Sequence, residues 1–285
     1  MRVIYIKHSK KILVAVAIAA GLVLGLGTST SASASSVTVG TQGTDAQIWR
    51  HIAKSSAAKQ AHLTIHVKEV TDSVQLNQAT GDGTIPVNAF QSFSYMQAYN
   101  KENPTKKLTA VGTTYLEPMG LYSKKIKHLK QLPKGATIGI PEDPANLTRG
   151  LKLLKTAGLI TLKPNFNALG NVSGIKSNPR QLKFRQIDGS TGPRVLSDVD
   201  AVLMSNTVAQ DGGLNVLKDS LVHEKVSRET NQDVNILAAG DKYRNNKSVK
   251  KLVKLYRNKG IQRYIKNEFH GTKVEVIKPI SALKK

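Results

Sequence analysis

Apolar positions along this chain fall into two alternating periods. Residues 37–40 carry branched side chains at every second place and end in glycine, a polar turn reaches Asp45, and residues 46–59 then repeat their apolar positions at helical spacing. That predicts a strand, a loop and a helix, with Asp45 as the helix N-cap. Residues 61–70 alternate again and complete a βαβ unit. A short helix over 74–80, a strand over 84–90, a helix over 92–103 and a strand over 107–115 follow by the same reasoning. Strands alternating with helices argue for an α/β fold with a sheet rich in parallel pairs.

After residues 117–123 the pattern restarts. Residues 136–142 predict a strand, and Asp143 then caps a helix whose first residue is Pro144. Leu147, Leu151 and Leu154 mark its buried face, and Gly158 is placed to be the residue that ends it. Further strands are expected over 181–187 and 200–206, with a short helix over 192–198 between them. A late strand over 234–240 and one long amphipathic helix over 248–269 could return to the first half. The expected architecture is therefore bilobal: lobe I from 35–121 and 228–285, lobe II from 122–227, and a ligand cleft between them.

The first 34 residues stand apart. Arg2, Lys7, Lys10 and Lys11 precede an apolar run of 16 residues from Ile12 to Gly27, and Ala32-Ser33-Ala34 follows as a signal-peptidase site. A run of that length is short of the roughly 20 residues that span a bilayer, so residues 1–34 predict a cleaved secretory signal and a soluble mature protein. The chain has no cysteine, which excludes disulfides, thiolate metal sites, a cysteine nucleophile and a lipid-bearing cysteine after the signal. The expected location is exported, extracellular or cell-surface associated, and not lipid-anchored.

Charge narrows the partners. The chain carries +23, and because the first 34 residues hold four bases and no acids the remainder keeps +19. Such a charge favours polyanions. The bases are scattered, with clusters only at residues 124–130, 247–254 and the C-terminal lysines, and aromatics form just 5% of the chain. Stacking platforms for nucleic-acid bases are therefore not evident, and an exported chain meets anionic cell wall first.

Catalytic chemistry finds little support. His62 and His66 lie four apart in a strand pattern, which separates them by about 13 Å at roughly 3.3 Å per residue, too far to share a metal ion. His223 begins a His-Glu pair without the second histidine of a zinc protease, no Gly-x-Ser-x-Gly elbow occurs, and the loop near Gly40 lacks a phosphate-loop signature. Neither a metal nor another cofactor is expected. Binding remains: a loop feeding a helix N-terminus attracts a carboxylate, and Arg149 adds a fork that grips both carboxylate oxygens. Arg149 lies about 200° from Leu147 on a helical wheel, off the buried stripe. An ordinary surface arginine is the competing reading, and the residues alone leave both open.

Four segments in order and spacing, 71–96, 110–125, 132–160 and 178–184, resemble the NlpA lipoprotein family, the methionine-type substrate-binding proteins of ABC importers. The resemblance covers nearly all of the chain after the signal. It implies a two-lobe periplasmic-binding-protein fold that closes on a free amino acid and delivers it to an ABC permease in the membrane. By position, Arg149 resembles the residue that pairs with the ligand carboxylate, with Asn146 beside it, and Asn235 resembles the family asparagine that bonds the ligand's polar end. Phe90 and Tyr95 match aromatics that enclose the ligand side chain, although plain core packing explains them equally well. The family commonly has histidine at Ser92, tyrosine at Ser73 and asparagine at Ser205, with Asn206 next door. Three larger groups become serines, so a different amino acid or a short peptide is an open alternative to methionine. A cationic surface adhesin reusing the transport fold is the rival function.

Overall fold

The computed structural model describes residues 35–166, 170–225 and 227–284; the expected signal segment, 1–34, lies outside them. The first pass of the chain runs β1 (Ser35–Thr41), α1 (Gly43–Lys54), α2 (Ser56–Gln60), β2 (Leu63–Glu69), α3 (Ser73–Gly81), β3 (Val87–Asn88), α4 (Phe93–Glu102) and β4 (Leu108–Thr113). A short β5 (Tyr115–Leu116) then leads to β6 (Met119–Tyr122). The second pass runs β7 (Thr137–Pro141), α5 (Pro144–Thr156), a hairpin of β8 (Thr161–Leu162) and β9 (Ile175–Ser177), and β10 (Lys183–Ile187). It continues through α6 (Gly192–Val195), β11 (Ala201–Ser205), α7 (Asn206–Asp211), α8 (Val216–Asp219) and β12 (Val222–His223). The chain returns as β13 (Ile236–Gly240), α9 (Lys247–Tyr256), α10 (Lys259–Glu268) and β14 (Val274–Glu275).

Two five-stranded sheets result, ordered β2-β1-β3-β13-β4 and β10-β7-β11-β6-β12. In each, one strand runs against the other four: β13 is antiparallel to β3 and β4, and β6 to β11 and β12. That reversed strand comes from the other pass, β6 entering directly from the first sheet and β13 returning from the second. The chain thus enters the second sheet at Met119, inside the segment assigned from sequence to lobe I. Residues 114–118 and 224–235 are the two crossings, and β14 pairs with β5 beside the first of them.

Both sheets are covered on both faces, which explains the continuous apolar runs of their central strands. Along β13, Leu237 and Ala239 join Trp49, Ile52, Leu252 and Tyr256, while Ile236 and Ala238 face Phe93, Met96 and Leu116. Along β11, Ala201 and Leu203 meet Ile140, Leu151 and Leu154, while Val202 and Met204 meet Tyr122, Ile187 and Leu196. The helices α9 and α10 pack on the first sheet through Val249, Leu252, Ile261 and Ile265.

Three local expectations change. The strand expected over 84–90 is only Val87–Asn88. The expected single helix over 248–269 is two, because Asn258 sits extended (φ −65°, ψ 131°) and its side chain accepts from the amides of Gly260 and Ile261, capping a new helix. Asp45 is not the cap of α1: Gln42 holds that position, and Asp45 lies within the first turn, fully buried.

Candidate ligand-binding site

The helix that carries Arg149 begins as expected. Asp143 accepts from the Asn146 amide, Pro144 takes the first turn, and Leu147, Leu151 and Leu154 enter the core of the second lobe. Arg149, expected off the buried stripe, is itself buried at 5% exposure, enclosed by Glu117, Glu224 and Asp233 of the two crossings.

The guanidinium is held on two sides. Its Nε donates to Glu224 at 2.9 and 3.0 Å, its Nη2 donates to the same carboxylate at 2.5 Å, and Nη2 also donates to the Glu117 carbonyl at 2.7 Å. Glu224 is anchored in turn by the Met119 amide at 2.9 Å. Asp233, on the second crossing, stands 3.8 Å from Nε. Burial opposes the charge of Arg149, but Glu224 and Asp233 outweigh it and hold the group more firmly protonated than usual. Burial pushes the Asp233 carboxyl up against the pull of Arg149, with the Ser94 hydroxyl bonded to it.

The remaining candidates divide into two groups, of which only the second reaches Glu117. Phe90 and Tyr95 meet edge to face, with ring centroids 6.0 Å apart. Burial, then the charge of Asp143 across the lobes, raises the Tyr95 phenol, which bonds to Ser73. Ser73 also donates to Gln42. Asn146 donates its side-chain amide to Asp143 at 3.1 Å. Ser92 caps α4 by accepting from the Tyr95 amide, and bridges to Asn235. Asn235 and Phe90 line one cavity together with Trp49, Thr114 and Tyr115. Ser205 and Asn206 lie elsewhere: Ser205 caps α7, and fully buried Asn206 donates to the Glu117 carboxylate, Gln210 and Thr272. The serines at 92 and 205 are thus helix caps as well as cleft candidates.

A second charged cluster was not found from sequence. The Lys273 ammonium, fully buried, donates to Asp45 at 3.0 Å, Glu117 at 3.1 Å, Thr207 at 2.7 Å and the Tyr115 hydroxyl at 3.2 Å. Tyr115 in turn donates to Asp45 at 2.5 Å. Burial pushes Asp45 up to about 6 against the pull of Lys273. Burial also acts to raise Glu117, but Lys273 and its donors Asn206 and Thr207 hold it below the usual carboxylate range. Four distant segments meet here, and none carries a local motif. Glu117 joins the two clusters, its carbonyl to Arg149 and its carboxylate to Lys273.

Residues 37–277 match the sequence model described as NlpA lipoprotein. A relative from Pasteurella multocida, named probable D-methionine-binding lipoprotein MetQ, is 33% identical over 82% of this chain and 84% of its own. The crystal structure of protein PG110 from Staphylococcus aureus is similar, with 36% identity, a TM-score of 0.83, and coverage of 87% of this chain and 97% of that one. A nutrient-binding protein from Burkholderia cenocepacia bound to methionine matches with 36% identity and a TM-score of 0.79, over 85% of this chain and 100% of that one. These matches correct one expectation. The relatives are named lipoproteins, proteins held to membranes by their acyl chains, against the expectation of a protein that is not lipid-anchored.

Proposed function

The chain belongs to the NlpA lipoprotein family, and from that membership we propose that it is the substrate-binding protein of an ABC importer, closing on a free amino acid, methionine or a close relative, and handing it to a membrane permease. The reading involves binding and release with no bond made or broken, so the protein is not an enzyme. The observation that carries it is Arg149: a buried, permanently charged fork on α5, set beside both crossings between the lobes. In this reading Arg149 meets the ligand carboxylate, Asn146 and Asn235 bond its polar groups, and Phe90 and Tyr95 wall its side chain. Ser73 and Ser92 border that wall, Ser205 and Asn206 stand apart from it on the second lobe, where Asn206 bonds the Glu117 carboxylate, and hinge closure completes the site. The cationic adhesin is not favoured, since it leaves a buried polar cluster at the interlobe seam without a purpose.

Calorimetry tests the reading. The wild type binds L-methionine or another amino acid of a standard panel, and Arg149→Ala weakens that binding by on the order of 2–5 kcal/mol, the cost of removing one partner of a desolvated charge pair. Unchanged affinity in the variant removes Arg149 from the site. A ligand-receptive cleft is also stabilised by its ligand through mass action, so the same panel raises the melting temperature.

A further inference from the structure

Resting on the amino-acid reading above, we propose that Asp233 holds the ligand's ammonium group and makes the site selective for a primary amine, that of a free amino acid or the N-terminus of a short peptide. The charges around Arg149 point this way. The Nε–Nη2 edge of the guanidinium is already neutralised by Glu224, and Glu224 is fixed by a backbone amide of β6. Asp233 therefore adds a second carboxylate to a guanidinium that needs only one, and it stands at 3.8 Å, beyond hydrogen-bond reach. Lys152 also draws on it from farther away, and among the described side chains the pair with Arg149 is its one contact within ion-pair distance. A largely buried carboxylate with spare acceptor capacity is costly unless something cationic arrives.

Its surroundings suit an ammonium. Asp233 lies on the return crossing and is followed two residues on by Asn235, a lining residue of the cavity that also contains Phe90. Ser94 bonds to it from α4 of the first lobe, beside Tyr95 in that helix. An ammonium has three donors, and the Asp233 carboxylate and the Ser94 hydroxyl bonded to it offer it acceptors side by side. Arg149 and Asp233 then present opposite charges side by side to the two ends of a zwitterion, with Glu224 a positioning residue that fixes the arginine fork.

Two ligands separate the roles: L-methionine and its des-amino analogue, 4-(methylthio)butanoate, titrated calorimetrically into wild type, Asp233→Asn and Asp233→Ser. The expected result is that wild type prefers methionine to the analogue by tenfold or more, and that both variants lose at least tenfold for methionine while their affinity for the analogue is unchanged. Equal losses for both ligands, or no loss for either, overturn the assignment. Tighter methionine binding in the variants also overturns it, since Asp233 would then compete with the ligand carboxylate for Arg149. A wild type that binds neither these ligands nor any amino acid sinks the amino-acid reading itself, whereas normal wild-type binding with indifferent variants sinks only Asp233.

Discussion

At the scale of single residues, the informative groups are charges buried where water cannot screen them. Lys273 is shared unequally by two carboxylates: Glu117 keeps its charge easily, whereas burial pushes Asp45 up to about 6. A carboxyl whose pKa is raised on folding binds its proton more tightly in the native state than in the unfolded chain, where the value is 3.8. Its contribution to stability is therefore complete below that value and is lost as pH rises through about 6. Asp45→Asn removes this titration. Thermal unfolding of wild type and variant should coincide most closely near pH 4, and the variant should gain on the wild type as pH rises to 7. A difference that does not vary with pH over that range would show that Asp45 is ionised throughout. Arg149 shows the complementary limit of a sequence argument: the wheel angle set it apart from the leucine stripe, but its burial comes from Glu117, Glu224 and Asp233, which only the fold brings to it.

At the scale of elements, most of the longer periods were legible, although the strand expected over 84–90 shrinks to Val87–Asn88. The βαβ start, the Asp143 cap, the leucine face of α5 and the stop at Gly158, whose φ is +72°, stand as the local chemistry dictates. What escaped were short pieces defined by their partners: β6, β12 and the β5–β14 pair have two to four residues and exist because another strand lies alongside. The same holds for the site. Phe90, Tyr95 and Asn235 could be marked by resemblance, whereas Glu224, Asp233 and Lys273 are charged residues in unpatterned loops, and only the fold brings them inward. The break between α9 and α10 is a case where apolar spacing outweighed a capping signal, since residues 248–269 keep one amphipathic face across it. Asn258→Ala should cost about 1 kcal/mol of stability, the usual loss for a helix N-cap, measured by urea unfolding. No change would show that packing on the first sheet alone sets the break.

At the scale of the whole molecule, ligand binding turns on how the two sheets with their helices meet. They touch through α4 against α5 and through α1 against α7. At the second contact Asp211 of α7 accepts from the Thr44 amide at 3.1 Å, placing a carboxylate on the free N–H groups at the start of α1. Gly43 permits the approach: its φ is +45°, and a Cβ there would stand 2.2 Å from the Asp211 carboxylate. In the proposed hinge closure a bond across this contact weights the balance between open and closed arrangements, and a charge at a helix N-terminus contributes typically up to about 1 kcal/mol. A loss of that size lowers amino-acid affinity about fivefold if closure accompanies binding. Asp211→Ala should therefore keep a near wild-type melting temperature without ligand, increase the radius of gyration in solution scattering, and weaken ligand binding by about that factor. Gly43→Ala, which adds a clash to the lost conformational freedom, should exceed it on both measures. If scattering and affinity are both unmoved in the two variants, the α1–α7 contact takes no part in closure, and the balance rests on the α4–α5 contact.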